Sequence, residues 1–393
     1  MITTLVITFW LSIFFVCYAY LLFPLLLNVL AKNKQQNQNC FTINDAALPE
    51  VSILLAVYNE ELVIEQKLIS TFQTNYPLDK ISFFIGSDSS TDNTDEIIKK
   101  FQAKFPQLHL VSFPKRTGKA GIINQLEKKA SSAVLILTDA NVFFAEDTIF
   151  NLVKHFKNDE IALVGGNIIN QHLQQTGISI QEKTYLSREN KIKYQEGVLW
   201  GTMIGAFGGC YSIRKNYFSP VPPKFFMDDF YITLAVLEKG KKAINELNAV
   251  CYEDVSNKIS EEFRRKVRIS IGNYQNLFRY KGLLFSGITG LSFCFWSHKV
   301  LRWLGPFFIL MALFSSSILA IAEPLYQLFC ITQCAFILLP LLDEVLKKVN
   351  IHLGILRFIS HFYLMNLALL VGFFRFAFGV DSNVWKPTQR FQQ

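Results

Sequence analysis

Asp139 and Asn141 stand two residues apart in the run LTDANVFF, directly after the apolar stretch AVLIL. If the backbone turns at Ala140, both side chains can offer oxygen to one point. Oxygen donors of this kind suit a hard divalent cation, Mg2+ or Mn2+, and such an ion commonly shares its shell with substrate phosphates. Arg116 and Lys119, in the run KRTGKA, fall in a loop after an earlier apolar stretch and can meet the same phosphates. Their bland alternative is a solvated basic loop.

The elements that must position these residues read as an alternating pattern. Short runs rich in Val and Ile lie at 51–58, 81–87, 108–113, 133–138 and 161–166. Between them stand EELVIEQKLISTF, TDEIIKKFQAKF, KAGIINQLEKKA and AEDTIFNLVKHF, each with apolar residues at helical spacing. Strands separated by helices predict an α/β fold with a mostly parallel sheet covered on both faces. Ligands of such sheets bind at the carboxyl ends of the strands. The first strand ends in AVYNEE, the second in GSDSSTDNTDE and the fourth in TDAN. Any one of these reads equally well as a helix cap. Three at one edge of one sheet exceed what capping explains.

Several sites are excluded. No G-x-G-x-x-G follows the first strand, so a dinucleotide fingerprint is missing. TGKA (117–120) is no Walker loop, because Phe113 stands where its first glycine belongs and Ala120 replaces Ser or Thr. HExxH and GxSxG are absent, and the acidic run from Asp88 lacks the glycine of an EF-hand loop. The seven cysteines form no CxxC pair, which argues against a disulfide scaffold and against structural zinc. The net charge of +8 suits a membrane surface or phosphates and is too weakly patterned for nucleic acid.

Of 393 residues, 51% are hydrophobic and 18% charged. Soluble domains carry about 25% charged residues, so part of this chain reads as membrane-embedded. Residues 1–31 hold no charge and form an uncleaved anchor, followed at once by Lys32 and Lys34. The positive-inside rule then puts residue 32 onward in the cytoplasm. A linker covers 32–49 and the α/β domain 50–282. The stretch 283–302 reads as an interfacial or re-entrant helix. Spans are expected at 303–322, 324–342 and 356–378, before a tail at 379–393. Whether the tail ends inside or outside depends on a parity of crossings that stays open.

Taken in order, VSILLAVYNEE, SDSSTDNT, KRTGKAGIIN and TDAN resemble the nucleotide-sugar half of the family-2 glycosyltransferases with a GT-A fold. Downstream, GGCYSIRK (208–215) is similar to the acceptor-side segment. MDD (227–229) resembles the catalytic-base motif, and RKVRISIG (265–272) the Q-x-x-R-W motif of processive members. VWKPTQR (384–390) resembles a Trp-Thr-Arg ending of membrane-bound members. The resemblance covers residues 50–282 and the membrane layout.

The resemblance implies roles for particular residues. Asp88 would contact a uracil, with Tyr58 to Glu60 passing the base and ribose. Asp139 matches the first aspartate of the D-x-D motif, and Asn141 replaces the second with a neutral amide. Asp229 would be the general base. Arg265 replaces the Gln of Q-x-x-R-W, Arg268 keeps the arginine and Ile269 replaces the tryptophan. The family implies a divalent cation as cofactor, a nucleotide-sugar donor, a lipid-linked or glycan acceptor, and contact with membrane lipid but not nucleic acid. It points to a multi-pass protein of the bacterial inner membrane with its catalytic domain cytoplasmic. The expected activity is inverting transfer, from a UDP-sugar, in cell-envelope glycan synthesis. Two alternatives stand beside it: a processive synthase that exports its polymer, and a non-catalytic membrane scaffold. In the basic run 258–281, Arg265 and Arg268 are expected to face the donor, and Arg279 and Lys281 the lipid.

Overall fold

The computed structural model describes residues 1–171, 179–254, 259–287, 289–349, 351 and 353–380. Lys258 and the motif at 384–390 lie outside these residues. The chain opens with α1 (Ile2–Cys17) and α2 (Phe23–Leu30), then enters the sheet with β1 (Val51–Val57). There follow α3 (Ile64–Phe72), β2 (Ile81–Ser87), α4 (Thr94–Gln102), β3 (Leu108–Ser112), α5 (Lys119–Lys129) and β4 (Val134–Thr138). Each agrees closely with an apolar run or helical stretch of the sequence. Then come β5 (Val142–Phe144), α6 (Thr148–Val153), β6 (Ile161–Gln171), α7 (Ser179–Trp200), β7 (Cys210–Arg214), α8 (Asp228–Glu238), β8 (Lys242–Asp254) and α9 (Ile259–Arg279).

Among the described residues, eight strands form one sheet in the order β3-β2-β1-β4-β7-β6-β8-β5. β3, β2, β1 and β4 run parallel, as do β6 and β8. β7 lies antiparallel to both β4 and β6, and β5 antiparallel to β8. The sheet is therefore mixed, with its parallel half formed by the strands that the sequence reveals. Side chains alternate between faces along a strand. In β1, Leu54 and Ala56 join one core cluster while Ile53, Leu55 and Val57 join the other. Leu135 and Leu137 of β4 side with the first pair, Val134 and Ile136 with the second. Burial on both faces is why these strands read as continuous apolar runs.

The apolar ends form helices. α1 and α2 run on through residues 18–22 as one helix, Ile2–Leu30. Beyond α9 lie α10 (Gly290–Cys294), α11 (Leu301–Trp303), α12 (Gly305–Leu319), α13 (Pro324–Lys348) and α14 (Gly354–Ala377). Among the described residues three helices, Ile2–Leu30, Pro324–Lys348 and Gly354–Ala377, are long and apolar enough to cross a membrane. The expected span at 303–322 takes a different form. α12 has 15 residues, about 22 Å at 1.5 Å each, short of the roughly 30 Å of a bilayer core. It reaches spanning length only together with Gly290–Trp303, from which it bends by 59°. In the stretch expected at the interface, Cys294, Phe295, Val300 and Trp303 are buried in a cluster continuous with the core of the α/β domain. α13 presents Leu328, Ile331, Leu338 and Leu341 outward, as a lipid-facing helix would.

The sulfurs of Cys210 on β7 and Cys251 on β8 lie against each other, a contact that the cysteine spacing did not suggest.

Candidate functional site

The carboxyl ends of β1 and β4 open into a cleft of about 220 Å³. β4 stops at Thr138, and the Val142 amide closes a turn on the Asp139 carbonyl at 3.2 Å. The turn carries Asp139 and Asn141 to the cleft wall and buries Ala140. Lys67 of α3 braces it from beneath, with Nζ donating to Thr138 Oγ1 at 2.8 Å and to the Val142 carbonyl at 2.6 Å. Burial holds the Lys67 ammonium well below its ordinary pKa, with Asp139 opposing. Sequence reasoning passed over this lysine because it sits inside a helical stretch.

Lys119 is the first residue of α5. The turn before it needs a positive φ, 81° at Gly118, which glycine adopts without strain. Lys119 Nζ stands 2.7 Å from Asp139 Oδ1 and 3.6 Å from Asp228 Oδ2. Burial pulls its pKa down, but Asp139, Asp228 and Asp229 outweigh that and hold it above the lysine range. Asp228 and Asp229 open α8, where the helix N-terminus favours negative charge. Asp229 Oδ1 accepts from the Phe230 amide at 2.7 Å. Burial, then the neighbouring Asp228, push Asp229 up to about 6, against the pull of Lys119. Gly208 keeps this corner open, since a Cβ there would lie 2.9 Å from Asp229 Oδ2 and 3.3 Å from Lys119 Nζ.

Arg265, Arg268 and Ile269 of α9 form another wall, and Glu60 lines the β1 side. Arg265 Nη1 lies 3.3 Å from Glu262 Oε2, and that carboxylate raises the arginine's pKa further. Of the predicted residues, Glu60, Lys119, Asp139, Asn141, Asp229, Arg265 and Arg268 thus meet in one cleft. Tyr58, Asp88 and Arg116 form an adjoining cluster instead. The Arg116 guanidinium lies 3.3 Å from the Tyr58 ring centre. Arg116 Nε donates to Asp88 Oδ2 at 3.0 Å, and the Thr117 and Gly118 amides donate to the same carboxylate at 2.5 and 3.1 Å. Asp88 therefore fixes the turn that aims Lys119. In the basic run, Arg279 reaches Glu238 at 3.6 Å.

Glu253 was missed. It lies on β8, opposite Val142 of β5, and its Oε1 accepts from Asn141 Nδ2 at 3.2 Å. β8 reads KAINELNAVCYED and holds no continuous apolar run, so nothing local marked this glutamate.

A divalent ion can be tested against the donor set. Among the described residues no group of three or more His, Cys, Asp or Glu side chains is arranged to hold a metal. The cleft lining holds five carboxylates against three cationic side chains. The Asp139 side chain is 35% exposed and can still accept a ligand. One partly exposed carboxylate, shared with Lys119, and one amide side chain fit an ion that takes its remaining ligands from phosphate and water, as Mg2+ usually does. A diphosphate could enter so acidic a cleft only with added positive charge.

Residues 52–219 match the family model for glycosyl transferase family 2. The poly-beta-1,6-N-acetyl-D-glucosamine synthase of Staphylococcus epidermidis is 28% identical over 236 residues, which covers 58% of this chain and 56% of that protein. The synthase of the same name from Staphylococcus aureus (strain COL) is 28% identical over 247 residues, 60% and 58% of the two chains. The chain thus spans somewhat over half the length of these curated relatives. Among solved structures, the mannosyltransferase PcManGT from Pyrobaculum calidifontis, in complex with GDP-Man and Mn2+, superposes with a TM-score of 0.72 at 18% identity. That likeness covers 94% of this chain and 99% of the other, and at such identity it speaks for the GT-A-like fold. The chain therefore carries a family-2 glycosyltransferase domain, as its strand-end residues implied.

Proposed function

We propose that the protein is a membrane-bound, inverting glycosyltransferase that moves a sugar from a nucleotide-sugar donor, a UDP-sugar, to a glycan or lipid-linked acceptor of the cell envelope. The observation that carries this reading is the meeting of Asp139, Lys119 and Asp229 in one cleft, with Arg265 and Arg268 on its wall. Asp139, with Asn141 beside it, would hold a divalent ion, which when bound neutralises charge on the departing diphosphate. Lys119 adds a fixed positive charge at the same carboxylate, and the α9 arginines are suited to phosphate. Asp88, Tyr58 and Arg116 would border the nucleoside next to the cleft. Asp229 takes the proton of the acceptor hydroxyl, and its raised pKa makes it a stronger base than a free carboxylate. Attack opposite the leaving diphosphate inverts the anomeric carbon.

The three apolar helices support a multi-pass membrane protein. Lys32 and Lys34 support a cytoplasmic domain at the bacterial inner membrane. A processive synthase is the second reading, favoured by the names of the relatives; Ile269 in place of tryptophan weighs against it.

Calorimetric titration of the purified chain with UDP, with and without Mn2+, tests the donor site, with GDP as competitor. Metal-dependent UDP binding that disappears in Asp139→Ala is expected. Absence of UDP binding in every condition overturns the UDP-sugar assignment. Product length against time then separates single from processive transfer.

A further inference from the structure

A second cavity, of about 380 Å³, lies between the α/β domain and the membrane helices. It shares Phe207, Met227, Glu253, Arg265 and Ile269 with the cleft of Asp229, so the two spaces adjoin across a common wall. One side is apolar and belongs to a candidate membrane span: Phe358, Phe362, Met365 and Leu369 of α14. The other side is charged and belongs largely to α7.

Most of its charges are already matched. His298 bridges Glu196 at 2.8 Å and Glu189 at 3.1 Å, Lys299 pairs with Glu189 at 2.9 Å, and Lys266 with Glu182 at 3.0 Å. Lys193 differs. It is 2% exposed, and among the described residues its ammonium makes no hydrogen bond or ion pair; it lies 3.2 Å from the centre of the Phe207 ring. Burial, then the nearby Lys299, push it down to about 7. Asn170 Oδ1 in the same cavity is buried and, among the described residues, accepts no hydrogen bond, so a ligand there must also bring a donor, as a saccharide hydroxyl does. Glu189, Asp229 and Glu196 act on Lys193 only from a distance; a buried ammonium with no direct partner is costly, and such groups are expected where a ligand completes them. Cationic side chains outnumber carboxylates in the lining by six to three, so the missing partner is an anion.

We propose that this cavity holds the acceptor, and that the acceptor is a lipid-linked saccharide whose phosphate linkage meets Lys193 while its apolar chain follows α14. This deepens the glycosyltransferase reading and rests on it. The hydroxyl beyond the phosphate would reach Asp229 past Phe207 and Met227. Its oxygen bonds to the anomeric carbon, and its proton passes to Asp229. The carbon–oxygen bond to the diphosphate breaks, with its electron pair leaving on the nucleoside diphosphate. A lipid anchor explains why the cavity borders a membrane helix, and a neutral glycan would leave Lys193 unmatched.

The test uses the full chain in a maltoside detergent, titrated calorimetrically with decyl phosphate, decanol and inorganic phosphate. Decyl phosphate is expected to bind at least about tenfold tighter than either of the others. Lys193→Met should erase its advantage over decanol. Methionine removes the buried charge, so the variant should melt no lower than the parent, which separates lost binding from lost fold. Equal binding of decyl phosphate and decanol, or an advantage that survives in Lys193→Met, overturns the proposal. Inorganic phosphate binding as tightly as decyl phosphate also overturns it, since the anion would then need no lipid. UDP titration of the same samples distinguishes the two failures. Intact UDP binding without a phosphate preference sinks only the acceptor assignment, whereas loss of all UDP binding sinks the donor reading beneath it.

Discussion

The cleft and the cavity beside it share a wall but carry opposite charge. The cleft at the strand ends is acid-rich, and the cavity against the membrane helices is base-rich. In the cleft the excess carboxylates need a cation: Lys119 answers Asp139, and the proposed divalent ion would supply the rest. In the cavity most cations are paired, and Lys193 is the one that an anion would match. A reaction between a metal-bound diphosphate donor and an anionic acceptor needs both signs, held apart so that each ligand selects its own side. Asp229 lines the cleft, two residues along the chain from Met227 of the shared wall, and its raised pKa belongs to a group buried near Asp228 and only partly offset by Lys119.

The largest effect should come from that carboxylate. Asp229→Asn keeps the shape and removes the base, so transfer should fall by roughly 10²–10⁴-fold while UDP binding persists. Product formation and calorimetry on one preparation would show this, and a variant that turned over normally would mean the base lies elsewhere. The same substitution has a second, smaller consequence. The pKa of Asp229 rises on folding from 3.8 to about 6. A carboxyl raised in this way favours the fold below 3.8 and loses that contribution as pH climbs through 6. At neutral pH the ionised form therefore costs stability, by up to about 3 kcal/mol. Asp229→Asn should raise the melting temperature at pH 7.5 and lose that advantage at pH 4. An equal gain at both pH values would assign the effect to something other than ionisation.

The contrast between the two regions also governs what could be read from the chain. β1 and β4 were legible because both of their faces are buried, β2 because most of it is, and the acidic ends of all three stand out against apolar runs. The family motifs cluster there for the same reason: Asp88 and Asp139 follow such strands, and Lys119 follows the more exposed β3. The membrane-side half hides its order. α7 reads SIQEKTYLSRENKIKYQEGVLW and shows no apolar stripe, because Glu182, Glu189, Lys193 and Glu196 are themselves buried. Charge pairing across the fold replaces hydrophobic periodicity, and pairing between distant residues leaves no local pattern. β6 continues past IALVGG after an irregularity between Gly165 and Asn167 in its pairing with β8, and the polar NIINQ disguised that extension. β8 alternates buried and exposed positions over part of its length but carries polar residues on both sides. Glu253 was invisible for that reason, although it touches a residue that the sequence had singled out.

Lys119 sharpens the cleft's side of the comparison. Its charge lowers the pKa of Asp229 and faces Asp139 and Asp228. Lys119→Met should shift the acidic limb of the transfer rate to higher pH, because Asp229 loses the cation that holds its pKa down. UDP affinity should weaken too, by about tenfold if one charge-assisted contact worth roughly 1.4 kcal/mol is lost. A pH profile that did not move would show that Lys119 serves the donor alone.

The smallest effect is expected at Asn141, and it bears on how the acid-rich cleft is balanced. Restoring an aspartate there would seem to complete a D-x-D pair and tighten metal binding. The structure argues otherwise, because Asn141 Nδ2 donates to Glu253 Oε1 at 3.2 Å. Asn141→Asp removes that donor and sets two carboxylates against each other, and one of a pair that close tends to take up a proton. The gain of a ligand is then offset by repulsion, and Mn2+-dependent UDP affinity should change by less than about threefold, an energy below 0.7 kcal/mol. Adding Glu253→Gln restores a donor to the contact and returns the carboxylate count to that of the parent chain. The double variant should bind metal and UDP more tightly than Asn141→Asp alone, with a coupling of roughly 0.5–3 kcal/mol, the range for residues in contact. If Asn141→Asp alone tightened binding tenfold and Glu253→Gln added nothing, the two side chains would be independent. The metal side of the cleft would then be set by the Asp139 turn alone, with β8 as mere backing.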